Sequence, residues 1–301
     1  MKSWLKTQIP TAVILLIIAL VAVLYSVLGQ NTAPVGVPEL TAGRLLVLIL
    51  VGFLAGVLGG IIGTGGCSVM LPVLHFWLGY PAPIAVGTTL FAVIFTAISG
   101  GYGHLVRHNL DKRAVAWLGG MGIVGVIIGS WLFTFLSDKS TLLGLILGLL
   151  FLWPALRMIW EGIRHAGLPQ KEGNKIVAPA GGLSVFGVLV GLATGIAGLG
   201  GGYALVPGLI YLFGAPVYIT MGTSLATMIP LAVVGGGIKL AGGFVDMAAG
   251  LLLAAGTVIG AQVGAAVIKR FKPTTLKLIF GIYFLYVSVK FITAFFGIKI
   301  W

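Results

Sequence analysis

The chain has 301 residues and a formal net charge of +12, from 18 Lys plus Arg against 6 Asp plus Glu; 59% of it is hydrophobic and only 8% charged. A mean hydropathy of +1.15 excludes a soluble globular domain, in which about a quarter of the residues carry charge. The basic residues sit in connectors and tails, so they read as topology signals at a lipid surface and no nucleic-acid partner is expected.

In chain order, the first apolar run, Ile9 to Leu28, follows Met1, Lys2 and Lys6. At about 1.5 Å per residue it is long enough to cross a hydrocarbon layer of about 30 Å. Its length favours an uncleaved anchor over a cleaved signal, whose apolar core is shorter. Beyond it, an offset of 135 aligns Gly52 through Phe133 with Gly187 through Ile268 without a gap. Gly63, Gly65, Gly66 and Pro72 fall on Gly198, Gly200, Gly201 and Pro207; Gly87 and Thr88 fall on Gly222 and Thr223; Asp111, Gly125 and Gly129 fall on Asp246, Gly260 and Gly264. Chance apolar similarity does not align Gly, Pro and Asp together, so the unit is duplicated, an architecture common in secondary transporters.

Each unit predicts an apolar helix (43–62; 179–197), a Gly-rich break, a short apolar segment (67–78; 203–213) and a Pro-containing break. Three longer helices follow, over 84–104, 113–136 and 141–160 in the first unit and 218–239, 247–269 and 274–297 in the second. The short segments either re-enter or cross, giving three or five crossings; both counts are odd, so the second copy is inverted. The expected organisation is an N-terminal transmembrane helix and linker (1–42), repeat 1 (43–160), a cytoplasmic linker (161–178) and repeat 2 (179–301). The fold class is an all-α polytopic membrane protein with two inverted-topology transmembrane repeats, discontinuous or re-entrant helices, and one extra N-terminal helix.

An inside N-terminus puts Lys2, Lys6, Arg107, Lys112, Arg113, Arg157, Arg164, Lys171, Lys175, Lys269, Arg270, Lys272 and Lys277 on the cytoplasmic side and leaves Arg44, Lys139, Lys239, Lys290 and Lys299 outside. That asymmetry favours a cytoplasmic N-terminus and an outside C-terminus in a multi-pass cell-membrane protein.

The breaks Gly59 to Gly66 and Gly195 to Gly202 interrupt helices at membrane depth, where released backbone must face protein or a polar cavity. A helix start follows each, offering N–H groups and the positive end of a dipole to an anion. The substrate-binding candidates are Gly63, Thr64, Gly65, Gly66 and Cys67 in one break and Gly198, Gly200, Gly201 and Gly202 in the other. The competing reading is tight helix packing of small residues; the duplication favours binding. Thr88, Thr89, Thr223 and Ser224 add hydroxyls that either donate to an oxyanion or bond back to a helical carbonyl.

His75, in the first short segment, and Lys239 are ionisable candidates for contact with substrate or a proton. Packing is the stronger expectation for His75. Lys239 matches His104 in the first unit, and both are expected to snorkel or to sit in connectors. Asp111 and Asp246 read as helix caps. Cys67, the only cysteine, excludes an intrachain disulfide or a Cys-based zinc cluster and reads as a small buried residue, with substrate contact as the alternative.

The sequence contains no P-loop motif, paired carboxylates, Ser/His/Asp set or His-rich cluster. No catalytic residue, metal or cofactor is expected, and the chain is not expected to be an enzyme. The partners expected are a small anion and the lipid bilayer, with a homodimer left open.

At the doubled pattern Gly-x-Gly-Gly, Pro, Gly-x-Pro, Gly-Thr-Thr/Ser the sequence resembles the TauE/SafE family of sulfite exporter-like membrane proteins, over about residues 43 to 297. The resemblance implies export of sulfite or of organosulfonates such as sulfoacetate, with Gly63 to Cys67, Pro72, Gly87 to Thr89, Gly198 to Gly202, Pro207 and Gly222 to Ser224 as the motif residues. The function expected is secondary export by alternating access; the alternative is uptake, or a channel, for another small anion such as thiosulfate or a carboxylate. The first break carries Thr64-Gly65-Gly66-Cys67 where the second keeps three glycines in a row, so unequal halves are expected.

Overall fold

The computed structural model describes residues 2–27, 34–164, 173, 175–267 and 273–298. The sequence expectations for linker residues 165–172 and 174, and for Lys269, Arg270, Lys272 and Lys299, lie outside them. Among the described residues the chain is all-helical: α1 (Lys2–Val27), α2 (Ala42–Ile62), α3 (Cys67–Pro72) continued by a π-helical turn (Val73–Trp77), α4 (Ala82–Val106), α5 (Lys112–Ser137), α6 (Ser140–Arg164), α7 (Ala180–Ala197), α8 (Gly202–Phe213), α9 (Val217–Ala241), α10 (Met247–Val267) and α11 (Pro273–Phe295). Eight of these, α1, α2, α4 to α7, α9 and α10, are long and apolar enough to cross a membrane. The segments Cys67–Trp77 and Gly202–Phe213 are shorter.

Burial separates centre from periphery: 83% of the apolar window of α4 is buried against 17% for α1. The helices pack as α2 on α10, α5 on α7, α4 on α9 and α6 on α11. At the 135-residue offset that carries Gly63 to Gly198, α2 corresponds to α7 and α5 to α10. The first two pairings are therefore one packing made twice, each joining a helix of the first unit to one of the second.

Glycine ladders explain how close these pairs lie. A Cβ added at Gly52, Gly56 or Gly60 of α2 would stand 2.4, 2.4 and 2.5 Å from the carbonyl oxygens of Leu253, Thr257 and Ala261. The counterparts Gly187, Gly191 and Gly195 of α7 would meet the carbonyls of Leu118, Gly122 and Val126 at 2.6, 2.1 and 2.5 Å. Facing helices reciprocate: Gly125 and Gly129 would meet Val188 and Leu192, and Gly260 and Gly264 would meet Phe53 and Val57, all at 2.1 or 2.2 Å. Small residues four apart let two backbones touch, the packing that membrane helices use where apolar burial provides no drive.

The connectors dock on the opposite unit in the same doubled way. Gly87 admits the Phe244 carbonyl and Gly222 the Asn109 carbonyl, where a Cβ would stand 2.1 and 1.8 Å away. Next door, the Thr88 hydroxyl accepts the Asp246 N–H at 2.9 Å and the Thr223 hydroxyl accepts the Asp111 N–H at 3.0 Å. Asp111 caps α5 by accepting from the N–H groups of Arg113 and Ala114 at 3.0 and 3.1 Å, and its second oxygen accepts the Ile176 N–H at 2.7 Å. Asp246 accepts from the Ala249 N–H at 3.2 Å and from the Tyr80 hydroxyl at 2.9 Å. Burial and that carboxylate push the Tyr80 phenol above its ordinary pKa, so it remains a donor.

Two hairpins complete the fold. Helix α8 runs back along α7: Gly208 is pressed against Phe186, and Phe213 at the end of α8 stands 3.1 Å from a Cβ placed at Gly182, near the start of α7. The first hairpin closes alike, Gly59 against Gly66 at its tip and Gly36 against Pro81 at its base.

Packing this close sets an expectation. Gly125→Leu forces α5 off α7 and should abolish recovery of monodisperse protein in mild detergent, whereas Gly120→Leu on the same helix, where a Cβ meets nothing within 4 Å, should be recovered at the wild-type level. Size-exclusion chromatography of the two variants checks it; equal recovery contradicts the ladder.

Candidate functional site

Each break is written by three left-handed glycines. Helix α2 ends on Gly63 (φ 83°), whose N–H bonds the Gly59 carbonyl at 2.8 Å, and the chain restarts through Gly65 (φ 70°) and Gly66 (φ 75°). Helix α7 ends on Gly198 (φ 66°), bonded to the Thr194 carbonyl at 2.8 Å, and restarts through Gly200 (φ 66°) and Gly201 (φ 82°). A side chain at any of them is strained. Neither α3 nor α8 has a side-chain cap on its first turn, although its N–H groups lie in a buried region.

The two breaks meet. The Cys67 thiol, fully buried, donates to the Thr64 carbonyl at 3.2 Å and makes a short contact with the Leu199 carbonyl of the other break. Its counterpart Gly202 lies where a Cβ would be 2.6 Å from Thr64 Cα and 2.9 Å from the Gly63 oxygen. The Ser224 hydroxyl donates to that same Gly63 oxygen at 3.0 Å. Gly65 and Gly200 point at one shared spot: a Cβ on either would stand 2.5 Å from Met228 Cε, with Val93 Cγ1 at 3.6 and 2.9 Å.

The sequence candidates therefore divide. Gly66 and Gly201 turn back onto their own hairpins, with a Cβ 2.4 Å from the Ala55 oxygen and 2.6 Å from Val190 Cγ1; Gly63 and Gly198 pack on the first turns of α9 and α4 at Met221 and Val86. Packing accounts for these four. Gly65, Gly200 and Gly202 face the central spot, with Thr64 and Cys67 at the junction. Thr88 and Thr223 hold connectors, and Ser224 is engaged with Gly63. Thr89, at the position matching Ser224, keeps a buried hydroxyl with no hydrogen-bond partner. His75 is held by Nδ1 at 2.8 Å from the Tyr80 carbonyl and stacks on Phe291 at 5.4 Å between ring centroids.

Lys239 does not snorkel and is not in a connector. It is 1% exposed, its Nζ donates to the Gly195 carbonyl at 2.5 Å, and it stands 4.4 Å above the Phe133 ring. The last turn of α7 explains this: unpaired carbonyls and the negative end of the dipole hold an ammonium there, and the aromatic face adds to it. His104, its counterpart, is equally buried.

Sequence reasoning missed several residues near the breaks. Tyr203, next to Gly202, has a buried hydroxyl without a partner, and so does Thr194 on the hairpin side of Gly201, its Oγ1 2.8 Å from a Cβ placed there. Met228 and Val93 carry no polar signal, and their correspondence at the repeat offset was the one available clue. Among the described residues no group of three or more His, Cys, Asp or Glu could hold a metal.

Comparisons with known proteins agree with this architecture. The profile described as Sulfite exporter TauE/SafE matches residues 48–291. A probable membrane transporter protein of Bacillus subtilis, YdhB, is 30% identical over 234 residues, spanning 77% of this chain and 94% of that protein. The probable membrane transporter protein MJ0441 of Methanocaldococcus jannaschii is 26% identical over 249 residues, 78% of this chain and 90% of its own. A probable membrane transporter protein of Haemophilus influenzae is 26% identical over 264 residues, 82% and 97% of the two chains. No solved structure matches. By the extent of the profile match and by its relatives, this chain is a multi-pass membrane transporter that belongs to the sulfite exporter TauE/SafE family.

Proposed function

We propose that the protein exports a small sulfur-containing anion, sulfite or an organosulfonate such as sulfoacetate, across the cytoplasmic membrane by alternating access, holding it between the two glycine breaks. The observation that carries this reading is the meeting of both breaks at a buried spot, each opening a helix with no side-chain cap. Paired discontinuous helices at a repeat interface are where transporters hold solutes, and helix starts favour an anion. The partnerless hydroxyls of Thr89 and Tyr203 are donors of the kind a sulfonate oxygen accepts from. All six acidic residues, Glu39, Asp111, Asp138, Glu161, Glu172 and Asp246, lie outside the breaks. Filling of the central spot by Met228 and Val93 favours a gated carrier over an open channel.

The proposed topology is two inverted units, 43–160 and 179–301, with re-entrant hairpins Ala42–Trp77 and Ala180–Phe213 and three crossings each. Two connector junctions support it. The contact of Asp111 with Ile176 gathers the connector of Arg107, Lys112 and Arg113 beside Lys175, whereas the Tyr80 to Asp246 contact joins connectors that carry no cation themselves and have Arg44 of α2 nearby. A cation-rich junction favours the cytoplasmic side, which supports an inside N-terminus and an outside C-terminus. An inside-negative potential then drives an anion outward, by about 2.3 kcal/mol per charge for each 100 mV.

Purified protein in liposomes loaded with sulfite or sulfoacetate should show saturable efflux under an inside-negative potential. No flux of either anion under a potential or a pH gradient overturns the substrate assignment. Saturable counterflow of thiosulfate or a carboxylate alone transfers the site to another anion, and non-saturating conductance makes it a channel.

Gly65→Ala and Gly200→Ala should each lower efflux at least about tenfold while the protein still purifies as a single species. The added methyl costs roughly 1–2 kcal/mol in a left-handed position and pushes first into the flexible Met228 thioether rather than into backbone, with Val93 also close at Gly200. Wild-type flux in both variants returns the central glycines to a packing role.

A further inference from the structure

The central spot belongs to Met228. Its Cε lies 2.5 Å from a Cβ placed at either Gly65 or Gly200, and its Sδ lies 2.8 Å from one placed at Gly202, so one thioether touches both breaks. Val93, the residue that the repeat offset pairs with Met228, approaches the same two glycines from α4. The backbones of α4 and α9 are held together around this point: Leu225 fits against Gly100, Leu90 against Gly235, Ile229 against Gly101 and Ile94 against Gly236, with 2.9 to 3.4 Å to a Cβ at each glycine. A solute can enter between the breaks only where one of the two side chains leaves.

The two differ in how they can leave. Both side chains are fully buried, but valine in a helix is confined to essentially one rotamer by its branched Cβ. Methionine is unbranched, with three rotatable bonds and no fixed shape, so it can vacate the spot without movement of its helix. The side chain that moves comes from the second unit, and the wall that stays comes from the first.

We propose that Met228 is the mobile plug of the solute site and that the space released when it swings away sets the largest anion the protein carries, with Val93 as the fixed wall opposite. This rests on the assignment of the paired breaks as the solute site.

Cys67, the only cysteine, is fully buried at the junction of the breaks and reports on the plug without any transported solute. The full-length protein is reconstituted as wild type, M228A, M228L and M228F, and the rate of Cys67 modification by a small anionic thiol reagent is measured. M228L retains the packed volume but lacks the Cε that reaches Gly65 and Gly200, and it serves where M228A does not fold. M228A and M228L should react at least about tenfold faster than wild type, as expected when an open state populated at the per cent level becomes the main one. M228F should react no faster than wild type. In flux assays M228A should carry a bulkier sulfonate relative to sulfite better than wild type does, and M228F worse. Unchanged Cys67 reactivity in both shortened variants overturns the proposal, and so does an equal increase in M228F, which signals general loosening. Absence of wild-type flux removes the assigned solutes, while the Cys67 rates still decide the plug.

Discussion

Carbonyl oxygens resting directly over glycine Cα atoms hold α2 to α10 and α7 to α5, and the rest of the molecule depends on that spacing. In lipid there is no water to expel from between apolar helices, so association has to come from contact itself, and contact is closest where no Cβ intervenes. Because each pair joins one unit to the other, neither unit forms its packing alone. The hairpins α2–α3 and α7–α8 are thereby fixed at their long arms, and their tips are brought to one place. The same device seats the connectors, where Gly87 and Gly222 receive the carbonyls of Phe244 and Asn109.

Much of this was legible before any coordinates. The repeat offset, the helix limits and the breaks follow from apolar runs punctuated by Gly and Pro, since these two residues control where a helix can continue. Asp111 and Asp246 were readable as caps because a carboxylate before an apolar run has few other uses. What the sequence did not separate were glycines with the same neighbours and different directions: Gly66 and Gly65 are adjacent, yet one turns to its own hairpin and the other to the centre. Direction depends on the dihedral path of the break, which composition does not encode. The acceptor role of Thr88 and Thr223 was not legible for a related reason. Their hydroxyls accept backbone N–H groups from 158 and 112 residues away, a partner that no local pattern predicts.

Lys239 and Met228 show where hydropathy reading reaches its limit. A lysine two residues before the end of a helix ordinarily extends to the surface, but α7 ends close by and its free carbonyls make the inward direction favourable. Met228 counts as one more apolar residue in an apolar helix; only the convergence of three glycines on its thioether distinguishes it. The two halves of the site also differ chemically. Cys67 bridges the breaks where Gly202 leaves none of its own side chain, Met228 opposes Val93, and Lys239 replaces His104. A duplicated scaffold has thus kept its packing residues paired while the residues around the centre diverged.

The central claim is that a small anion occupies the place where the two breaks meet. A structure of the protein with sulfite or sulfoacetate bound tests it most directly. The account predicts the anion within hydrogen-bond reach of the first turns of α3 and α8, with Met228 displaced from Gly65 and Gly200. An anion bound elsewhere, with the Met228 thioether still lodged between those glycines, would contradict it.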